Sequence, residues 1–335
     1  TKDLLRQCVN SILENAPGYS FEVIVVDNAS HDGSPEYIRS NYESIKLIAS
    51  DANVGFSAGN NLGITASAGN YILLLNSDTI VRPGALDNLV DYLDLNSSVA
   101  AVGPMLLNRD MTIQRSWFDF PSIAKIMSHI LGLSPIIIAL ARSRYVVPVL
   151  SALGIEPAFL KKEFCEPSPV DYLMFACVLV RRSVFEEIGL LDEELFFYHE
   201  DYEFGYRMFS HGMQMCYFPN AKVIHLGGGT SSKYLLKTYR EYYRGLFYVY
   251  GKHNGTLKNI VFRMSVALGF TFRSLIWFLG GYHRVQKRGD YAEESSLEGR
   301  KIPRQTEFLC TYIGIIKDSV FEKRAAKKVK SIPHR

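Results

Sequence analysis

The first hundred residues alternate between two kinds of segment, and that alternation leaves few folds open. Phe21–Val26 is a short, apolar, β-branched run, the mark of a strand buried on both faces. Ile45–Ile48 and Tyr71–Leu75 repeat the pattern, and Val99–Val102 reads as another strand. Helical stretches lie between them. One runs through Arg39, and one of small residues runs from Ser57 to Ala68, with Gly69 to end it. A third is entered through Pro83 and carries Leu86, Leu89, Val90 and Leu93 on one face. This order predicts an α/β protein with a Rossmann-like sheet, mixed but mostly parallel, flanked by helices. Ligands of such sheets bind beyond the carboxyl ends of strands. Two of the runs end there in acids, one in Asp27-Asn28-Ala29-Ser30 and one in Asn76-Ser77-Asp78.

Composition narrows the class further. Hydrophobic residues make up 47% of the 335 and charged residues 21%, which suits a sizeable core and excludes wholesale disorder. A net charge of +3 argues against a nucleic-acid partner. The five cysteines are scattered and form no C-x-x-C pair, so neither a zinc site nor a disulfide framework is indicated. A reducing, cytoplasmic setting follows. The chain opens as a helix and not as a signal peptide: Leu4, Leu5, Cys8, Val9 and Ile12 share a face. An α/β fold ordinarily places a strand before such a helix, and that first strand is missing from the sequence.

From about 120 to 165 the alternation breaks into an apolar insertion. Its longest uncharged run, Ile126–Ala141, has 16 residues, short for a bilayer span. It suits either a cover over an acceptor cleft or membrane interface, or buried core helices. Strand and helix signals return at Val170. Tyr172–Arg181 reads as a strand, Ser183–Ile188 as a helix ended by Gly189, and Gln214–Phe218 and Val223–His225 as strands split by a turn at Pro219-Asn220. Beyond 231 the chain turns to long helices, Tyr234–Tyr250 and Leu257–Tyr282, and a basic tail with six Lys/Arg against one acid after residue 321. The second helix suits the plane of a membrane interface, with Trp277 and Phe278 in the acyl boundary and its arginines among headgroups. Packing on the protein's own core is the competing reading. The organisation expected is a domain over 1–230 and a helical, membrane-suited region over 231–335.

An apolar strand that delivers Asp78 into a polar loop is what a hard cation needs, since Mg²⁺ and Mn²⁺ take carboxylate and phosphate oxygens. Taken alone, Asp78 reads as readily as the cap of a following helix, and Asp27 as an Asx-turn. Glu200-Asp201 falls at a helix start, and His225 ends a strand before three glycines.

The ordered set V-V-D-N-A-S, N-V-G-F-S-A-G-N-N, L-L-L-N-S-D-T, V-D-Y-L-M-F-A-C-V-L-V-R-R, F-Y-H-E-D-Y-E-F and V-I-H-L-G-G-G resembles inverting glycosyltransferase family 2, above all its rhamnosyltransferase-like and galactofuranosyltransferase-like members. The likeness covers roughly residues 1–231 and implies the GT-A fold. It further implies that Asp27 meets the donor's base, that Asn53, Gly55 and Asn61 approach the nucleotide and its phosphates, and that Asn28, Asn76 and Ser77 also belong to the nucleotide-binding set. Asn76, Ser77 and Asp78 correspond to a D-x-D motif in which Asn76 replaces the first acid. Asp78 and His225 become the metal ligands for Mg²⁺ or Mn²⁺. Asp201 becomes the catalytic base, with Glu200 beside it. Phe175-Ala176-Cys177 stands where related sequences read S-G-A.

The resemblance thus implies transfer of a sugar, with L-rhamnose from dTDP-rhamnose foremost, from a nucleoside-diphosphate donor to a bacterial surface glycan or its lipid-linked precursor. The enzyme would sit peripherally at the inner face of the plasma membrane. Another UDP- or dTDP-sugar such as UDP-galactofuranose, a non-catalytic nucleotide-binding scaffold, and a nucleotidyltransferase are the alternatives.

Overall fold

The computed structural model describes residues 2–133, 165–227, 235–278 and 305–321. Most of the apolar insertion, Gly228-Gly229, the side chains of Trp277 and Phe278, and the basic tail lie outside the described residues. The described residues fall into two compact units, one drawn from Thr1–Phe120 and Phe164–Ser232, the other from Pro121–Glu163 and Lys233–Ala326.

The first unit begins with α1 (Lys2–Glu14), β1 (Ile24–Asp27), α2 (Ser34–Asn41), β2 (Lys46–Ala49), α3 (Phe56–Ala66), β3 (Tyr71–Leu75), β4 (Thr79–Val81), α4 (Ala85–Leu95) and β5 (Val99–Leu107). Short strands β6 (Ile113–Gln114) and β7 (Trp117–Phe118) follow. After the helix α5 (Ile123–Ile130), which belongs to the second unit, come β8 (Ser168–Val170), β9 (Tyr172–Leu173), β10 (Cys177–Arg181), α6 (Arg182–Ile188), α7 (Glu200–Ser210) and β11 (Gln214–His225).

β1 and β2 form a parallel pair of their own. The main sheet has seven strands in the order β3-β10-β5-β11-β4, with β6 added on β5 and β8 on β11. It is mixed. β10 runs antiparallel to both β3 and β5, and β11 runs parallel to β5. Hence β3, β5 and β11 share one direction, and their carboxyl ends share one edge. The reversed β10 separates β3 from β5, so the parallel character lies in strand direction more than in hydrogen-bonded neighbours.

Alternation along the strands builds a core on each face. Val178, Val180, Met215 and Tyr217 point into one core with Phe175, Phe204 and Met208. Cys177, Leu179, Cys216 and Phe218 point into the other with Leu86, Leu89 and Leu93 of α4. β10 is buried over Cys177–Val180, as a central strand should be.

Three local expectations change. Tyr172–Arg181 is two strands, because Met174 N bonds Ser116 O while Ala176 O accepts from Asn76 N. Pro219-Asn220 does not split β11; a bulge between Phe218 and Lys222 absorbs the turn, and the strand continues to His225. Asp78 is followed by β4, not by a helix, and Gly84 precedes α4. The helix-cap reading of Asp78 therefore falls.

The second unit holds α5 with α8 (Leu235–His253), α9 (Thr256–Phe278) and α10 (Gln305–Phe321). Its core is aromatic: Tyr243, Phe247, Phe262, Phe270 and Tyr312 are almost fully buried. Gly269 lets α5 close on α9, since a Cβ there would lie 3.0 Å from Ile130 Cγ2. No described helix is long and apolar enough to cross a membrane. The expectation that the α9 arginines reach out to headgroups is overturned. Arg273 is only 3% exposed, and its Nη1 donates to Ile130 O at 2.8 Å. Arg263 Nη1 donates to the carbonyls of Asp318 and Ser319.

Candidate active site

Asn76-Ser77-Asp78-Thr79 is a tight turn between β3 and β4. Thr79 closes it through its amide N–H and its hydroxyl, both donating to Asn76 O. Cys8 of α1 braces the same carbonyl, Sγ to O 3.6 Å. β4 pairs antiparallel with the end of β11, which sets His225 opposite Thr79. Leu226 N then donates to Asp78 O at 2.9 Å. The result is one polar spot at the carboxyl ends of β3 and β11, where His225 Nε2 lies 3.4 Å from Asp78 Oδ1.

Gln114 of β6 decides how that imidazole presents itself. Its amide nitrogen donates to Asn108 Oδ1 at 3.2 Å, which turns Oε1 toward His225 Nδ1 at 2.7 Å. Nδ1 must then carry the proton, and in the neutral ring the Nε2 lone pair faces Asp78. Among the described residues no three His, Cys, Asp or Glu gather as a closed metal site. Two ligands are on offer, a carboxylate and a held imidazole, and both side chains keep some exposure, 19% and 13%. This fits a cation whose remaining ligands are oxygens of a bound diphosphate.

The second cluster is the start of α7. Tyr198 and His199 precede it with φ of 72° and 68°, a left-handed pair that non-glycine residues adopt at a cost. The helix is pressed close to β9: a Cβ on Gly205 would sit 2.5 Å from Tyr172 Cβ. Phe120, Tyr172 and Tyr206 pack over its outer side. Three acids occupy the first turn. Glu203 is wholly buried and committed, its Oε2 2.9 Å from Arg207 Nε, whose guanidinium also donates to the carbonyls of Ile188 and Leu190. Glu200 and Asp201 make no ion pair among the described residues. Asp201 Oδ1 accepts from Tyr202 N at 2.8 Å. Glu200 Oε2 is buried with no hydrogen-bond partner among the described residues. Burial pushes the Asp201 carboxyl up to about 6. Burial, reinforced by the charge of Asp201, pushes Glu200 up to about 8.

The remaining expected residues form a third patch, and much of it is structural. Asp27 Oδ2 accepts from Ser30 N at 2.9 Å, three residues on, a side-chain bond that closes the turn at the end of β1. Asn28 fastens the following loop, with Oδ1 accepting from Val54 N and Nδ2 donating to Gly55 O. Asn53 Oδ1 accepts from Gly55 N. Gly55 has φ 91°, and a Cβ on it would lie 2.7 Å from Phe196 O, so this loop rests on the strap that leads to α7. Asn61 is corrected: it is buried, and its amide donates to Leu191 O and Glu193 Oε1 while its oxygen accepts from Leu191 N. No donor is left there for a phosphate. The structure brings Asp78 to His225, and Asn28 and Asn53 to Gly55. Gln114, absent from the sequence reading, joins the first set; nothing in the local sequence marks it, because only the β5–β6 hairpin carries it to His225.

The sequence profile of Glycosyl transferase family 2 matches residues 1–189. The chain belongs to glycosyltransferase family 2. The matched span takes in Asp27, the Asn53–Gly55 loop and Asp78, and stops before Glu200, Asp201 and His225. The N-acetylglucosaminyl-diphospho-decaprenol L-rhamnosyltransferase of Mycobacterium tuberculosis is 30% identical over 217 residues, 61% of this chain and 66% of the relative. The dTDP-rhamnosyl transferase RfbF of Shigella flexneri is 23% identical over 228 residues, 67% of this chain and 66% of the relative. This family 2 chain thus spans just under two thirds of either relative's length. A mannosyltransferase from Pyrobaculum calidifontis, solved with GDP-Man and Mn²⁺, superposes with a TM-score of 0.54. It covers 97% of this chain and 85% of that one at 13% identity, a likeness of fold alone. The fold is GT-A, with a helical C-terminal region.

Proposed function

We propose that this chain is an inverting, metal-dependent glycosyltransferase that moves L-rhamnose from dTDP-L-rhamnose to a hydroxyl of a lipid-linked bacterial glycan precursor at the inner face of the plasma membrane. The observation that carries the reaction is the Glu200-Asp201 pair, two uncommitted acids at the head of α7 with raised carboxyl pKa values. A base that takes a proton from an attacking hydroxyl needs a pKa near the working pH, and Asp201 is pushed toward that value. The acceptor oxygen bonds to the anomeric carbon as its proton passes to an Asp201 carboxylate oxygen. The bond from that carbon to the diphosphate breaks on the opposite face, which inverts the configuration. Glu200, held protonated at neutral pH, can donate a hydrogen bond to the acceptor or to its neighbour.

Asp78 and His225 would hold a divalent cation, which when bound supplies positive charge beside the departing diphosphate. Gln114 keeps the His225 lone pair aimed. Asp27, Asn28, Asn53 and Gly55 frame the loop proposed to meet the nucleotide, with Asn76 and Ser77 in the turn at the phosphate end. The choice of rhamnose, and of a lipid-linked acceptor, rests on the names of the relatives alone.

Asp201→Asn tests the base. Transfer should fall by about 10²- to 10⁴-fold, with donor binding unchanged by thermal shift. In the parent, turnover should drop about tenfold per pH unit below about 6, since only the ionised carboxylate accepts a proton. Full activity in the variant removes Asp201 from the role, and a thermal shift with other nucleotide sugars but not with dTDP-rhamnose removes the donor.

A further inference from the structure

The helix α9 is built inside out. A surface helix in water turns its charges outward and its apolar stripe inward. In α9 the exposed face is apolar: Leu257, Ile260, Met264, Leu268, Phe272 and Leu275 stand between 48% and 75% exposed, with Val261 beside them. Their spacing of three and four residues puts them on one face. Eighteen residues separate the first from the last, a stripe about 27 Å long at 1.5 Å per residue. Lys258 is the one charged residue on the exposed side of the described helix.

The two arginines of α9 face the other way. Arg273 lies against Ile130 O and over the Tyr312 ring at 5.5 Å. Arg263 lies over Phe247 at 4.9 Å and against the end of α10. Asp318, 5% exposed, takes Arg240 through two bonds of 2.6 and 2.7 Å and Arg244 through one of 3.2 Å. Polar groups paired within and apolar groups without is how a protein faces hydrocarbon, not water. A soluble monomer seldom leaves a continuous apolar patch beyond a few hundred Å² uncovered.

Charge says what covers it. The described stretches 235–278 and 305–321 hold eight Lys/Arg against three Asp/Glu, a net +5. A second copy would bring only more of the same positive charge. A bilayer rich in anionic lipid offers both partners at once, acyl chains for the stripe and phosphate headgroups for the net positive charge of these helices. We infer that α9 lies flat in the headgroup–acyl boundary of an anionic membrane, its Leu257–Leu275 face inserted. This names the partner for the membrane-side acceptor proposed above, and its test does not depend on turnover.

The full chain is sedimented with vesicles of phosphatidylglycerol and phosphatidylcholine, and with phosphatidylcholine alone. The protein should pellet with the anionic vesicles and much less with the neutral ones, and added salt should weaken binding. Leu268→Glu with Phe272→Glu should cut the bound fraction about tenfold or more, while donor-induced thermal shift stays at the parent value. A Leu268→Trp variant, which keeps the face apolar, should be quenched by brominated lipid beyond the parent. No pelleting of the parent, pelleting unaffected by the double substitution, or no extra quenching overturns the inference. So does a parent dimer in sedimentation that the double substitution breaks, since the face would then join two copies. Any of these leaves the Asp201 result standing, and failure of the Asp201 test leaves vesicle binding standing.

Discussion

The two units bury opposite things. In the α/β unit the sheet sends Val178, Val180, Phe204 and Met208 inward and keeps its polar groups at strand ends, around Asp27, Asp78 and His225. In the helical unit the interior contains arginines and Asp318, while Leu268 and Met264 stand outside. The first is what water selects, because burial of apolar area drives its folding. The second is what the proposed membrane contact accounts for, with acyl chains taking the outward face.

Stability measurements can break the comparison. Phe204→Ala should cost about 3–5 kcal/mol in urea unfolding, for it empties a filled core site, whereas Leu268→Ala should stay within about 0.5 kcal/mol in water. Equal losses would mean that the α9 face is covered by the chain itself. Asp318→Ala should cost about 3–5 kcal/mol, because it leaves Arg240 and Arg244 without their shared acceptor; a smaller loss would place that network nearer to water than its burial suggests.

Two further measurements sharpen the description of the α/β unit. Gln114→Leu should weaken Mn²⁺ binding in the presence of nucleoside diphosphate by about 10- to 100-fold in calorimetry, with the fold intact. Unchanged affinity would mean that His225 is aimed without Gln114. Glu200→Gln should produce the smallest effect, visible in melting temperature against pH. A carboxyl whose folded pKa is raised stabilises the fold while protonated, and that contribution is lost as pH climbs from about 4.5 through about 8. The neutral variant should therefore match the parent in acid and melt a few degrees higher above about pH 8. A gap that opens from about pH 4.5 but stops growing well below about 8 would mean that Glu200 ionises more easily than its burial implies.

Much of the fold was legible. The runs at β1, β2 and β3 are short, apolar and bounded by polar residues, and each forms a strand within a few residues of its expected limits. Gly189 ends α6 with φ 81°, and Glu200-Asp201 heads α7 as the spacing implied. The failures share one cause. Thr79-Ile80-Val81 is too short to signal a strand, and it exists because the end of β11 offers it a partner. Pro219 looked like a break because the sequence does not reveal that β5 continues alongside and tolerates a bulge. Asn61 looked like a ligand contact, since a side-chain amide shows the same donors whether it meets a phosphate or a distant loop.

The α9 arginines were misplaced for the same reason. Helical periodicity says which residues share a face, and it gave one apolar face with arginines off it; it does not say which face meets protein and which meets solvent. By itself the sequence determined the strand–helix order, the family and the candidate acids, because local pattern and residue type follow from short stretches of chain. Only the tertiary structure decided that Asp78 faces His225 under the control of Gln114, that Glu203 is committed while Glu200 and Asp201 are not, and that α9 turns its apolar side outward. Each of these depends on which partner, remote in sequence, reaches a polar group first, and hydrogen bonds and ion pairs act only over a few ångströms.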